Sequence, residues 1–375
     1  MHKKIWFKVH LVLGLLAGII LLIVGITGAI LSFEKEILRA INKDSYMVVI
    51  PNTQSLSTKV LLERFQVKLP DAKINSLSFS SDINESVVIN IAGTGDVKTV
   101  RRGINHFVNP YTAEILPPLV GKEFFSFNEN LHRWLAFGGE SREIGKQVVA
   151  ISTVALIILS ITGVIIYWGR IKRSFFKSFT FTTKHHGRAF LSTMHSAVGM
   201  WVLPFYLLAS LTGLYWSYEW YNTALYKIAG VEKPKRNMPK KQAFESKKTS
   251  FDSHQKAVEI FDVFVQKKYS SASVRFPENG TVYTFSYLDI NPAHYRARNS
   301  LELDIESEQI IKHERYNDKP LNEKLMGSML PLHSGEYFGR IGQIGMFIVS
   351  ALMSLFTITG IMLYFKRKLK KKTNK

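Results

Sequence analysis

The chain has 375 residues, no cysteine, 46% hydrophobic residues and a formal net charge of +20. Lacking cysteine, it can form no disulfide, thiolate-ligated haem, iron–sulfur cluster or redox dithiol. The excess of Lys and Arg sits in short segments beside apolar blocks, which excludes nucleic acid as the partner and reads as a membrane-topology signal.

Residues 1–33 open the chain as transmembrane helix 1. Leu11 to Phe33 runs for 23 residues without a charge, enough at 1.5 Å per helical residue to cross a hydrocarbon core about 30 Å thick. Lys3, Lys4 and Lys8 precede the run, which continues into Phe33-Glu34-Lys35-Glu36. It is too long for a cleaved signal and is expected to be an uncleaved anchor. At 100° per residue His10, Gly14, Gly18, Gly25 and Gly28 share one stripe, which suits close helix packing, a flat macrocycle, or both.

Residues 34–147 form a soluble segment. Ser57 to Lys68 has helical apolar spacing, and Ser86 to Ile91 alternates like a strand. Ala92-Gly93-Thr94-Gly95 marks a turn, and Asn109-Pro110-Tyr111-Thr112-Ala113-Glu114-Ile115 reads as strand, turn, strand. Leu131-His132 stands just ahead of the second span, residues 148–168, and residues 169–195 form a basic loop containing His185 and His186.

The third span, residues 196–218, follows His195 and contains Pro204, a residue tolerated in membrane helices whose neighbours re-satisfy the freed carbonyl. The second soluble segment, residues 219–340, offers a helix at Ser253 to Lys268 and a strand at Thr281 to Leu288. A turn at Asn279-Gly280 and a closing run Asp304 to Ile310 complete it. Leu332-His333 precedes the fourth span, residues 341–365, and residues 366–375 form a basic tail expected to touch anionic lipid.

With the N-terminus inside, residues 1–10, 169–195 and 366–375 are cytoplasmic and hold 16 Lys/Arg with no Asp or Glu. The two long segments are nearly balanced, with 14 basic against 13 acidic residues and 19 against 16. The positive-inside rule therefore places both termini in the cytoplasm and both soluble domains outside it.

The two halves also resemble each other. His10-x3-Gly14 leads to Thr27-Gly28 as His195-x3-Gly199 leads to Thr212-Gly213, with 18 residues from His to the final Gly in both. Gly145 leads to Thr162-Gly163 and Gly342 to Thr359-Gly360, again over 18 residues. The chain is thus expected to be two tandem copies of helix, α+β domain, helix.

Copies related in this way put His10 and His195 at the cytoplasmic face and His132 and His333 at the outer face. A haem held only by protein imidazoles needs histidines in facing pairs from different helices, and these four supply two such pairs. His10 and His195 are read as beginning their helices, where the positive end of the dipole keeps imidazole neutral. His185 or His186 could replace His195. Lys8, Arg133, Arg188 and Arg340 are candidate propionate partners. His106, His254, His294 and His313 are expected to be surface residues, and either the two haems dip into the bilayer or Trp201, Tyr206 or another buried aromatic bridges the two levels. No metalloprotease, P-loop, dinucleotide or nucleophile-elbow motif is present.

Two helix pairs opening with His-x3-Gly and Leu-His, closing with Thr-Gly and embracing a module that ends in Asn-Pro-Tyr-Thr-Ala-Glu-Ile, resemble the PepSY-associated transmembrane proteins. The resemblance covers essentially the whole chain. It implies a small PepSY-like α+β domain in each soluble segment and two b haems ligated by His10, His195, His132 and His333. It also implies reduction of a ferric siderophore or other iron complex outside the cytoplasmic membrane of a bacterium, with a quinol or cytoplasmic reductase as donor. The alternative is a non-enzymatic module that binds or regulates an extracytoplasmic peptidase. The Thr-Gly usual in the closing turn is here Thr112-Ala113 and Ser307-Glu308, a departure that bears on the loop.

Overall fold

The computed structural model describes residues 2–93, 102–234 and 250–373. Thr94 and Gly95 of the expected turn, and residues 374–375 of the tail, lie outside the described residues. The first half contains α1 (His2–Leu31), α2 (Glu34–Ile41), α3 (Lys43–Tyr46), α4 (Thr58–Lys68), β1 (Ile74–Ser80), β2 (Val87–Ile91), β3 (Ile104–Val108), α5 (Lys122–Trp134) and α6 (Arg142–Arg173). The second contains α7 (Gly187–Ser217), α8 (Glu219–Ala229), α9 (Phe251–Val265), β4 (Ser271–Arg275), β5 (Val282–Leu288), β6 (Asn299–Asp304) and β7 (Gln309–Glu314). It ends with α10 (Leu321–Gly327), α11 (Met329–Ser334) and α12 (Gly339–Thr373).

These elements divide into a helical unit, residues 1–34, 121–233 and 328–375, and a sheet unit, residues 35–120 and 234–327. In the helical unit Lys3–Leu31, Gly139–Arg173, Gly187–Ser217 and Glu336–Lys368 are each long and apolar enough to cross a membrane. α1 packs on α6 and α12, and α7 on the same two helices. Ala17, Leu21, Ala155, Val202, Tyr206, Val349 and Met353 form the bundle core. Gly25 brings α1 against α12, since a Cβ there would lie 2.8 Å from the Ser350 carbonyl oxygen. The Thr357 hydroxyl donates to the Gly18 carbonyl at 3.0 Å, and the Tyr206 hydroxyl to that of Val349 at 3.0 Å.

Two short helices complete this unit. α5 packs on α1 and α6, and α11 on α7. Gly145 near the start of α6 admits the carbonyl of Trp134, which ends α5, and Gly342 near the start of α12 admits the backbone of Gly335, which follows α11. A Cβ at either glycine would collide with that backbone.

The sheet unit departs from the expectation of one separate domain per soluble segment. Its strands form one antiparallel sheet in the order β3-β2-β1-β4-β5-β6-β7. β1 of the first segment pairs with β4 of the second, Leu77 opposite Val274 and Ser78 opposite Ser273. The physical reason is that either segment alone leaves a strand edge with unpaired N–H and C=O groups, and joining them satisfies both. α4 and α9 share the core beneath: Leu62, Phe65, Ala257 and Phe261 pack with Ile89, Val274, Phe285 and Leu301. Phe261 stacks on Phe285 at 4.3 Å.

Both helices are capped by serine, Ser57 accepting from Val60 N at 3.4 Å and Ser250 from Ser253 N at 3.2 Å, so the second starts at Phe251 and not at the expected Ser253. The two closing turns place Ala113 (φ 60°) and Glu308 (φ 58°) in the left-handed region that glycine adopts most freely.

Candidate functional site

The helical unit gathers the four matched histidines into two pairs. The His10 and His195 rings lie 6.4 Å apart between centroids, inclined at 73°. Those of His132 and His333 lie 6.2 Å apart at 71°. The histidines of the first pair come from α1 and α7, and those of the second from α5 and α11.

Each ring is held by a threonine on another helix. His10 Nδ1 lies 2.9 Å from Thr162 Oγ1, and His195 Nδ1 2.7 Å from Thr359 Oγ1. His132 Nδ1 lies 3.1 Å from Thr27 Oγ1 and 3.0 Å from the Val24 carbonyl, while His333 Nδ1 lies 3.0 Å from Thr212 Oγ1. Every one of these hydroxyls also sits within 2.8 Å of the carbonyl four residues back in its own helix, namely Ile158, Leu355, Ile23 and Leu208.

A threonine hydroxyl has a single proton. Donated to the helix carbonyl, it leaves Oγ1 only as an acceptor, so the imidazole must donate from Nδ1–H. Nε2 is then the bare lone pair, the form a histidine needs to bind a metal.

The glycine after three of the four threonines lies against a histidine ring. A Cβ at Gly28 would lie 3.2 Å from His132 Cε1, at Gly213 3.3 Å from His333 Cε1, and at Gly163 3.6 Å from His10 Cε1. Gly360, the fourth, has no such neighbour within 4 Å. The threonines of all four Thr-Gly dipeptides are therefore ring supports, and three of the glycines adjoin the ring, a role that sequence reading missed although the dipeptides themselves were visible.

A cavity opens around the first pair. It is lined by His10, His195 and glycines of all four spans: Gly14, Gly18, Gly163, Gly199 and Gly360. Tyr167, Tyr364, Arg188 and Arg367 also line it. The glycine stripe of α1 thus does two jobs, fronting the cavity at Gly14 and Gly18 and closing on α12 at Gly25.

Of the candidate anion partners, Arg188 lines the cavity, as does Arg367, which sequence reading did not single out. Lys8 is exposed and is not among the lining residues. Arg133 bonds Glu129 at 2.8 Å and covers Trp134, and Arg340 reaches Gln343 at 3.3 Å.

Several expectations need correction. His10 and His195 do not begin their helices, because α1 starts at His2 and α7 at Gly187. More than two turns in, the dipole has faded, and threonine fixes the proton instead. His185 and His186 are exposed ahead of α7, and it is His195 whose ring adjoins His10.

Trp201 is 64% exposed and cannot bridge levels inside the bundle, whereas Tyr206 is buried. Phe356 lies 5.0 Å from His195 and 5.7 Å from Tyr206 by ring centroids, and Trp216 lies 5.7 Å from His333. Phe356 and Trp216 escaped sequence reading because nothing in their spacing sets them apart.

His254 and His294 are not surface residues, being 5% and 6% exposed in the sheet unit. His254 lies on the apolar stripe of α9 with Phe251 and Phe261, stacks on Phe276 at 3.9 Å and bonds the Tyr283 hydroxyl at 2.8 Å. Burial pushes its imidazole down to about 4. His294 bonds the Tyr316 hydroxyl at 3.0 Å. His106 is half-buried, and the exposed His313 bonds Tyr287 at 2.7 Å.

Two imidazoles sharing a metal at bonds of about 2 Å place their ring centres about 6 Å apart, a spacing both pairs meet. Among the described residues no group of three His, Cys, Asp or Glu is arranged to hold a metal ion. The donor set is bis-imidazole at two levels, which suits a metal that brings its own equatorial ligands. A family model described as the PepSY-associated TM region matches residues 7–367. No curated protein matches the chain.

Proposed function

We propose that this chain, which belongs to the PepSY-associated TM family, is a di-haem electron carrier that reduces a ferric chelate outside the cytoplasmic membrane of a bacterium. The observation that carries this reading is the pair of facing imidazoles at each of two levels, with every Nδ1 committed to a threonine. Bound there, haem b would supply a one-electron iron couple, and ligation by two imidazoles would favour electron transfer over oxygen chemistry.

The protein's own residues do the rest. His10 with His195, and His132 with His333, would hold the iron, and the glycines of the cavity would leave room for the macrocycle. Arg188 and Arg367 would meet its carboxylates. His10 to Thr27 and His195 to Thr212 are both 17 residues, so the two levels stand about 26 Å apart along the helices. Phe356 and Tyr206 pack in the bundle core near His195, and Trp216 adjoins His333.

The acid-free basic segments support cytoplasmic termini and an extracytoplasmic sheet unit. A quinol or cytoplasmic reductase is the donor. One quinol, oxidised to quinone with loss of two protons, supplies two electrons and so reduces two ferric ions to ferrous.

Protein purified from haem-replete cells is expected to show a sharp Soret band and, after dithionite, a narrow α band. His10→Ala or His195→Ala should remove one haem and spare the other. Colourless protein overturns the proposal and leaves the peptidase-binding module as the better reading.

A further inference from the structure

The connection from α6 to α7 is built against the bundle. After Arg173 the chain folds into a short 3-10 turn, Phe176–Phe179, which packs on both helices. Ser178 is fully buried there, and its carbonyl accepts from the Tyr167 hydroxyl of α6 at 3.3 Å. Trp201 of α7 donates its indole N–H to the Phe179 carbonyl at 3.0 Å, with the two rings 5.2 Å apart. Arg170 of α6 donates to the Lys177 carbonyl at 3.0 Å. Bonds from both flanking helices thus fix where the turn sits.

Its outward surface combines two chemistries. Phe175 and Phe176 are 53% and 85% exposed, and Trp201 is 64% exposed. Lys172, Arg173, Lys177 and Lys184 stand exposed on the same segment. No acidic residue occurs between Glu143 and Glu219. Those two stand at the opposite ends of α6 and α7, about 40 Å away along the helices, so the surface is of one sign. Trp201 lies early in the third span, residues 196–218, and its bond to Phe179 sets the height of the turn. The exposed rings are level with the edge of the hydrocarbon, and the long basic side chains reach the headgroups.

We infer that this turn is a binding surface for anionic phospholipid, with Phe175 and Phe176 in the acyl boundary and Lys172, Arg173 and Lys177 on the headgroup phosphates. A surface of one sign calls for a polyanion, and aromatic rings held at the bilayer edge select a lipid over a soluble one. The positive-inside rule assigns this face to the cytoplasm, the side on which anionic lipid gives the leaflet its negative potential. The inference is independent of the electron-carrier reading, since it uses none of the paired histidines.

The test offers the full chain in neutral detergent equal amounts of phosphatidylglycerol and phosphatidylcholine with the same acyl chains, and counts the retained lipids by native mass spectrometry. Wild type is expected to retain phosphatidylglycerol in preference. Lys172→Gln/Arg173→Gln/Lys177→Gln should abolish the preference, its affinity for phosphatidylglycerol falling about tenfold or more. All three side chains are exposed, so an unchanged Tm separates lost binding from lost folding. Phe176→Ser should weaken retention of both lipids. Lys370→Gln/Lys371→Gln/Lys372→Gln in the tail removes the same charge and should cost less than the loop variant. Equal retention of the two lipids by wild type, an equal loss in the tail variant, or displacement of phosphatidylglycerol by heparin at matched charge overturns the inference.

Discussion

Thr162 Oγ1 lies 2.9 Å from His10 Nδ1 and 2.8 Å from the carbonyl of Ile158, so one hydroxyl binds a ring on another helix while its proton stays in its own. Thr359 stands in the same relation to His195, Thr27 to His132 and Thr212 to His333.

Thr162→Val, close in shape but without the hydroxyl, leaves the His10 N–H unpaired at a cost of about 1–3 kcal/mol. Loss of such a supporting bond weakens metal ligation by about 10–100-fold. Haem loss on dialysis should therefore quicken for one haem of the two, and Thr162→Ser should restore retention. Unchanged retention and an unchanged midpoint potential in the valine variant would refute the threonine's role.

Gly145→Ala and Gly342→Ala should each lower the Tm sharply, because their Cβ meets backbone and backbone cannot swing aside as a side chain can. The first displaces the end of α5 and with it His132, the second the turn after α11 and with it His333. Gly169→Ala, with nothing within 4 Å, is the control and should behave as wild type. Differential scanning fluorimetry of the three variants checks this.

Burial holds His254 neutral, with its pKa lowered from 6.5 to about 4. Between those values the unfolded chain binds a proton that the folded chain refuses. The contribution is full above about pH 6.5 and disappears as pH falls through about 4, amounting to at most about 3 kcal/mol. Thermal unfolding at pH 7, 6 and 5 should show this decline, and His254→Gln should flatten it while starting from a lower Tm. An identical slope in the variant would count against the assignment.

Glu308→Gly should stabilise the sheet unit. A non-glycine residue in the left-handed region costs about 1 kcal/mol, and the exposed ion pair of Glu308 with Lys256 returns less than that. A rise in Tm of a few degrees is expected, and a fall would show that the ion pair matters more than the backbone.

The stripe of α9 shows how far local pattern carries. Helical spacing puts His254 on the same face as Phe251 and Phe261, a burial signal that the expectation of a surface residue overlooked. The edge pairing of β1 with β4 was not, because either strand alone reads as one with a free edge. Ala113 and Glu308 reveal their left-handed backbone only in three dimensions, since neither is a residue type that signals it.

What the sequence by itself determined are the features carried by short-range periodicity: four apolar spans, the charge asymmetry of the segments between them, and equal spacing from His10 to Thr27 and from His195 to Thr212. Tertiary structure alone decided which threonine meets which histidine, pairings that reach across 152, 105, 164 and 121 residues. It likewise decided that both soluble segments build one sheet. Contacts at such separations depend on how helices rotate and strands align when buried surfaces meet, and no window of sequence encodes that register.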